Sequence, residues 1–394
     1  MRVICIISIL SILVLLAGCS KKESEVNFDF STHLFKIKKE GKYGFINNQG
    51  KIMISPRFEE ARDFAEDLAA IRSEGKWGFI NTKGEIEITP NYQWVGDFIE
   101  NLAAVEIDDK WGCIDKNGNI VIEPKFKHQP IFSSGLARIE VNETEPYKSG
   151  YINKTGKFLI PAQFELAYAF EQGIARVMQN KKLGLIDVQG NYIIEPQFDS
   201  IDKFCEGLAG IRLGNKHGFI DSTGKIVIRP VFLSAKRFSE GLAFVRLDEP
   251  DKYEFAFIDK TGKIIFQTNY IVLNDFHEGF APFKLDRDND SKVGFIDKAG
   301  KIVIRPKYYH VGRFSEDLAL VMINGKFGYI NKTGKLVIKP KYEMFHGSYP
   351  ENFEFHNGIA RVLISSSKGP KECYISKSGK TIWKGELTIQ LAQD

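Results

Sequence analysis

The densest run of potential metal ligands in this chain is DRDNDSKVGFID, residues 286–297. Asp286, Asp288 and Asp290 have the alternating spacing with which an EF-hand loop offers carboxylates to calcium. That chemistry also asks for Gly at the sixth loop position and a bidentate Glu at the twelfth, where this chain has Ser291 and Asp297. The stretch therefore reads first as a charged insertion turn. The three aspartates are retained as a calcium candidate, and no cofactor is expected. A second set of carboxylates, Glu66, Glu100, Glu206, Glu240, Glu278 and Glu316, recurs at one place in a repeat. Acid–base catalysis uses non-equivalent carboxyls with separated pKa values, so a periodic row reads as a solvated edge that blocks edge-to-edge pairing. The seven histidines (His33, His128, His217, His277, His310, His346 and His356) are scattered over different repeat positions. No HExxH, P-loop, dinucleotide-binding or GxSxG pattern occurs. An enzyme is not expected. One segment breaks the repeat with several reactive types, FHGSYPENFEF at 345–355 and the His that follows it. His346, Tyr349, Phe353, Phe355 and His356 are therefore the candidate binding residues, since loops on rigid scaffolds often carry binding.

The elements that must position these groups come from an internal repeat. A glycine recurs at Gly44, Gly78, Gly112, Gly150, Gly184, Gly218, Gly294 and Gly328, with Ala256 and Cys373 in the same register. Spacings are 34 or 38 residues until the last, which is 45. Two residues on stands Ile in all ten copies, and six residues on stands Gly. Asn or Asp three residues before a Gly, between runs such as WGFI and KIVI, predicts a hairpin with the turn glycine at positive φ. Pro56, Pro90, Pro124, Pro196, Pro230, Pro306 and Pro340 are expected to end the second strand of that hairpin. An aromatic follows at fourteen residues and Phe at twenty, and then comes a strand of LAxV type. Each unit is thus an antiparallel three-stranded meander, with the aromatic–Phe loop able to add a fourth short strand. One such unit cannot bury a face alone, whereas stacked units can. The four-residue insertions, such as those within 142–149 and 286–292, fall between LAxV and the glycine, on one edge of the array, and seven further residues sit in the last unit near 345–355. The position before the glycine holds Tyr43, Trp77, Trp111, Ser149, Leu183, His217, Phe255, Val293, Phe327 and Glu372. That is too permissive for a repeated stacking platform. The glycine itself is expected to let a neighbouring aromatic lie across the strand.

The amino terminus is a different kind of sequence. Arg2, an apolar run of about 15 residues and LAGC at Leu16–Cys19 make a secretory signal, the run being short of the ~20 residues a spanning helix needs. Leu-Ala-Gly-Cys resembles a bacterial lipobox, cleaved between Gly18 and Cys19, with Cys19 lipidated. The expected organisation is a signal at 1–18, a polar tether at 19–29 and one β domain at 30–394. Without residues 1–18 the chain has 53 Lys+Arg against 50 Asp+Glu, a net charge of +3. So mixed a surface argues against nucleic acid. Cys113, Cys205 and Cys373 have neither the number nor the spacing of a disulfide or zinc framework.

GKYGFIN (41–47), GKWGFIN (75–81), DKWGCID (109–115) and GKFGYIN (325–331), with FSEGLAFV (238–245) and FSEDLALV (314–321), resemble the bacterial WG-repeat or KWG-repeat family. The resemblance covers about residues 30–383. It implies an all-β repeat protein, often exported or surface-attached, with no agreed catalytic activity. The expected architecture is all-β, about ten tandem units of ~34 residues in an open curved stack; the alternative is a closed β-propeller. The expected role is a lipid-anchored cell-envelope scaffold for protein or glycan partners, in the outer membrane where the cell has two, since Ser20 rather than Asp follows the anchor. The alternatives are an envelope hydrolase with a site assembled across units, and a periplasmic assembly scaffold.

Overall fold

A computed structural model describes residues 33–141, 147–248, 254–286, 292–343, 353–367 and 369–387. Ten small antiparallel sheets follow one another along the chain, nine of four strands and the first of three. No α-helix occurs among the described residues. The second sheet is representative. Its strands Glu60–Ala61, Leu68–Ser73, Lys76–Asn81 and Ile86–Tyr92 lie side by side in chain order. The aromatic–Phe loop thus does contribute a fourth strand, short and placed first.

Turn chemistry explains this register. Between the first two strands Glu66 and Asp67 both have positive φ, 50° and 70°, the signature of a two-residue type I′ hairpin. Between the third and fourth, the Asn81 side-chain oxygen accepts the N–H groups of Lys83 and Glu85 while Gly84 takes φ +85°. Asn and Asp stabilise such turns through their own side chains. The same pair of bonds recurs at Asn47, Asp115, Asn153, Asp187, Asp221, Asp259, Asp297 and Asn331.

The repeat glycine answers to backbone, not to a ring. Trp77 pairs with Tyr92 and Phe79 with Ile88, so three residues of the fourth strand bulge over Gly78. A Cβ on Gly78 would stand 2.5 Å from the Ile88 carbonyl oxygen and 2.6 Å from the Pro90 nitrogen. The proline therefore sits in a bulge and the strand runs on through it, which corrects both expectations; Pro needs no ladder partner there. The chain contains its own control. All eight glycine copies carry this bulge, Gly150 included although Ala162 holds the proline position. Where Ala256 or Cys373 replaces the glycine, pairing with Gln267 or Lys384 is regular.

Sheets pack face to face through aromatic pairs. Phe79 of one sheet meets Phe98 of the next edge-on at 4.8 Å. The equivalent pairs are Phe45–Phe64, Tyr151–Phe170, Phe219–Phe238, Phe257–Phe276, Phe295–Phe314 and Tyr329–Phe355. Each buried ring contributes about 1.5–3 kcal/mol, so the inter-sheet cores expected from the fixed aromatics are present. Trp77 is buried among them, under the Arg62 guanidinium and stacked on Trp94.

The array closes on itself. The turn of every later sheet rests on the last strand of the sheet before it, as Gly84 rests on Ile54 and Gly118 on Ile88. Gly50 of the first sheet rests on Ile382 of the tenth in the same manner. The Glu386 N–H donates to the Lys38 carbonyl, and its carboxylate accepts the Gly41 N–H. Ile37, Ile46, Ile359 and Tyr374 form a shared core at this junction. The architecture is thus a closed ten-bladed β-propeller. The open stack fails because the junction of the two ends reproduces the contacts between internal neighbours.

Candidate functional site

Antiparallel order gives the ring two faces. One carries the first and third turns of every blade, and the other carries the second turns and the blade-to-blade connections. On the first face the recurrent glutamates form a belt. Glu66 accepts the N–H of Asn101 in the next blade at 2.9 Å, and Lys116 donates to the Glu66 carbonyl. Glu100 takes Gly135, Glu206 takes Gly241, Glu240 takes Gly279, Glu278 takes Asp317 and Glu316 takes Gly358. Lys154, Lys260, Lys298 and Lys332 pair with Glu100, Glu206, Glu240 and Glu278. Burial alone would raise the Glu66 and Glu206 carboxyls. The backbone N–H and lysine partners together hold both below the ordinary value. The row is therefore a chain of inter-blade clamps, not a bare solvated edge. The fixed spacing of the Glu–Gly/Asn/Asp pair carried that signal.

All five departures from the unit length join elements on the second face: 142–147, 247–254, 285–292, 365–370 and 343–354. Beside the last lies a polar cavity of about 200 Å³ between the first strands of successive blades. Arg313 Nε lies 2.7 and 2.8 Å from the two carboxylate oxygens of Glu354, a buried side chain. An Arg313 terminal nitrogen donates to His277 Nε2 at 3.0 Å. Arginine has no acceptor, so His277 accepts there and its ring proton belongs on Nδ1. Burial, and next the Arg313 charge, lower the His277 pKa and keep the ring neutral at neutral pH. Arg237 is bound to Asp275 at 2.6 Å on the same wall. These charges satisfy one another, so among the described residues the cavity offers polar walls of fixed geometry and no carboxylate free of a cation.

Of the residues singled out from the sequence, Phe355 is fully buried at the recurrent Phe position. Phe353 is buried too, and its carbonyl accepts the Tyr329 hydroxyl. Neither presents a ring to a ligand, because the inter-blade core claims both. His356 is exposed, with Nε2 3.9 Å from Glu354. His346 and Tyr349 lie outside the described residues, as do Gly18 and Cys19, Asp288 and Asp290. Asp286 is described, and no cluster of three metal-ligating side chains occurs among the described residues. Cys113 and Cys373 are buried free thiols, and burial pushes the Cys113 thiol up to about 12.

The profile of the "WG containing repeat" family matches nine successive segments, 43–77, 77–111, 111–144, 150–182, 184–216, 218–253, 255–287, 294–327 and 327–365. No curated protein matches the sequence significantly. Among solved structures, the chain is similar to one described as the eukaryotic initiation factor, with TM-score 0.51 and 9% identity over 91% of this chain and 96% of that one. That likeness is one of fold. Dihydro-heme d1 dehydrogenase NirN overlaps more loosely, with TM-score 0.33 and 12% identity over 78% and 72% of the two chains. A quinonprotein alcohol dehydrogenase-like protein from Bacteroides thetaiotaomicron does so at TM-score 0.28 and 9% identity over 81% of each. With its repeats tiled by that profile almost from end to end, this chain belongs to the WG-repeat family.

Proposed function

We propose that this protein is a non-catalytic binding scaffold of the bacterial cell envelope, anchored by lipid on Cys19, whose partners are proteins or glycans. The observation that carries the reading is the asymmetry of the ring. One face is uniform and locked by the glutamate belt, while every change of unit length falls on the other. A rigid frame that concentrates its variation on one surface suits recognition, because loops held by a scaffold are where binding is built. The pairing of Glu354 with Arg313 and of Asp275 with Arg237 favours a scaffold over the hydrolase alternative.

Two experiments test this. Cys19→Ser is expected to move the protein from the membrane to the soluble fraction and to abolish fatty-acid labelling; retention of label would contradict the anchor. Cross-linking in intact envelopes, read by mass spectrometry beside a glycan array, addresses the binding face. Replacing 142–147 by a two-residue Asn-Gly turn is expected to remove cross-links that Lys116→Ser and Lys154→Ser on the belt face preserve. Loss from the belt variants alone would reverse the assignment.

A further inference from the structure

Blade four departs from its neighbours at its first strand. In blades two, five and six, two N–H groups tie the first strand to the second. Glu59, Glu165 and Asp199 donate to the carbonyls of Arg72, Met178 and Arg212, and Arg62, Tyr168 and Asp202 to those of Ala70, Arg176 and Gly210. The counterparts in blade four are Lys127 and Pro130, and proline has no N–H to give. Pairing there begins only at Phe132–Ser133. Among the described residues no main-chain N–H of 127–131 reaches the Arg138 or Glu140 carbonyl. The segment is also held back from the far side. The Gln129 amide lies over Gly96 of blade three, where a Cβ would stand 2.2 Å from its nitrogen. That position is Arg62, Tyr168, Asp202 or Lys236 in other blades, so the glycine is what leaves room.

Between the peeled segment and the second strand lie two adjoining cavities of about 390 and 510 Å³, on the face where the unit length varies. Lys127, His128 and Glu140 line both. Lys110, from the second turn of blade three, Lys125 and the exposed Tyr147 complete the larger one. Glu140 is the one carboxylate lining it among the described residues, and Arg138 pairs with it. Lys125 is held by the Gly156 carbonyl and the Phe126 ring. Lys110, Lys127 and His128 are exposed and have no partner among the described residues. The pocket thus carries a surplus of cations beside two backbone acceptors that lack their usual donors.

We propose that this pocket binds a saccharide bearing a carboxylate or phosphate group. The proposal rests on the reading of this face as the recognition surface and names its ligand class. The acid group answers Lys110, Lys127 and His128, since charge-assisted bonds to such donors are the strong ones. The Arg138 and Glu140 carbonyls need donors, which sugar hydroxyls supply and an ionised carboxylate or phosphate does not. The Tyr147 ring gives the apolar face of a sugar a flat surface with a polar edge. An acidic peptide fits less well. Adding a strand needs an open sheet edge, and here Lys127, His128 and Gln129 wall the lane that strand would take.

Titration calorimetry on the full-length chain tests this with trigalacturonate, glucose 1-phosphate, neutral maltotriose and tetraglutamate as probes. At least one of the two acidic saccharides is expected to bind, and which one does identifies the acid group. Lys127→Ser and His128→Ser are each expected to weaken that binding about tenfold or more, while Lys154→Ser on the belt face leaves it unchanged. Glu143→Gln/Glu145→Gln, in the neighbouring segment outside the described residues, is expected to leave the affinity equal or higher. Its loss there would contradict an anion site. Equal binding of maltotriose, unchanged affinity in the Lys127 and His128 variants, or binding of tetraglutamate in place of the saccharides overturns the proposal. So does failure of both acidic saccharides to bind. Envelope cross-links that depend on 142–147 would in that case still uphold the scaffold, and their absence as well would reject it.

Discussion

A single glycine per blade decides whether the outer strand can fold over its neighbour. The Ile–x–Pro backbone presses on Gly78 where any Cβ would overlap it. Gly78→Ala is expected to cost roughly 1–3 kcal/mol, as overpacking does, whereas Ala256→Gly in the unbulged blade costs only about 0.5–1 kcal/mol. Urea unfolding of the two variants checks this, and equal losses would contradict the account. The pattern was legible in part. The glycine and the proline stood out as fixed residues, and both are missing from copies seven and ten, yet the bulge joining them is a tertiary contact that no local signal announces. His277 makes a pH prediction at the same scale. Its pKa is lowered in the fold by burial and Arg313, so the unfolded chain takes up the proton first as pH falls. Stability is full above about pH 6.5 and declines below it, until the folded ring also titrates. His277→Gln is expected to flatten that decline in thermal melts between pH 7.5 and 5; an unaltered profile would place the acid sensitivity elsewhere.

At the scale of the element, each Glu–Gly or Glu–Asn pair is both a hairpin turn and a fastener. The glutamate takes φ near +50°, a conformation that L side chains adopt reluctantly, and sends its carboxylate to the next turn. The carboxyls of Glu66 and Glu206 lie below their ordinary range despite burial, so both are protonated less readily in the ring than in the unfolded chain. Their contribution is complete above about pH 4.5 and is lost as pH falls through the folded values. Glu206→Ala removes the acceptor of the Gly241 N–H and the Lys260 partner. The expected cost is roughly 0.5–1.5 kcal/mol, reduced from that of a buried charged bond because the site is partly solvated. Glu206→Gln should recover the hydrogen bond but not the acid sensitivity. A loss from Gln equal to that from Ala, measured by chemical unfolding at pH 7, would contradict the clamp. The row itself was plain in the sequence. Its partners were not, because they lie 35 to 42 residues away in the next blade.

For the molecule as a whole, strands, turns and unit count follow from the period-34 pattern, since each unit repeats the same aromatic, Asn/Asp and glycine demands. Closure did not follow, because nothing in a unit records how many neighbours complete a turn of the ring. The small rotation between blades sets that number, and the ends meet through contacts between the first and last sheets, such as those of Gly50 with Ile382 and of Lys38 with Glu386. The candidate binding residues show the same limit. Phe353 and Phe355 looked like an insertion's aromatics but serve the last inter-blade core. The central claim is that this family member is a closed ring. It is tested most directly by spin-label distances between Gln49 and Lys380, all labelled positions being exposed turn residues. The internal standard is the equivalent pair in neighbouring blades, Lys83 and Lys51. A closed propeller predicts the same short distance distribution for both pairs; a Gln49–Lys380 distance well beyond that of Lys83–Lys51 would show that the ends do not meet.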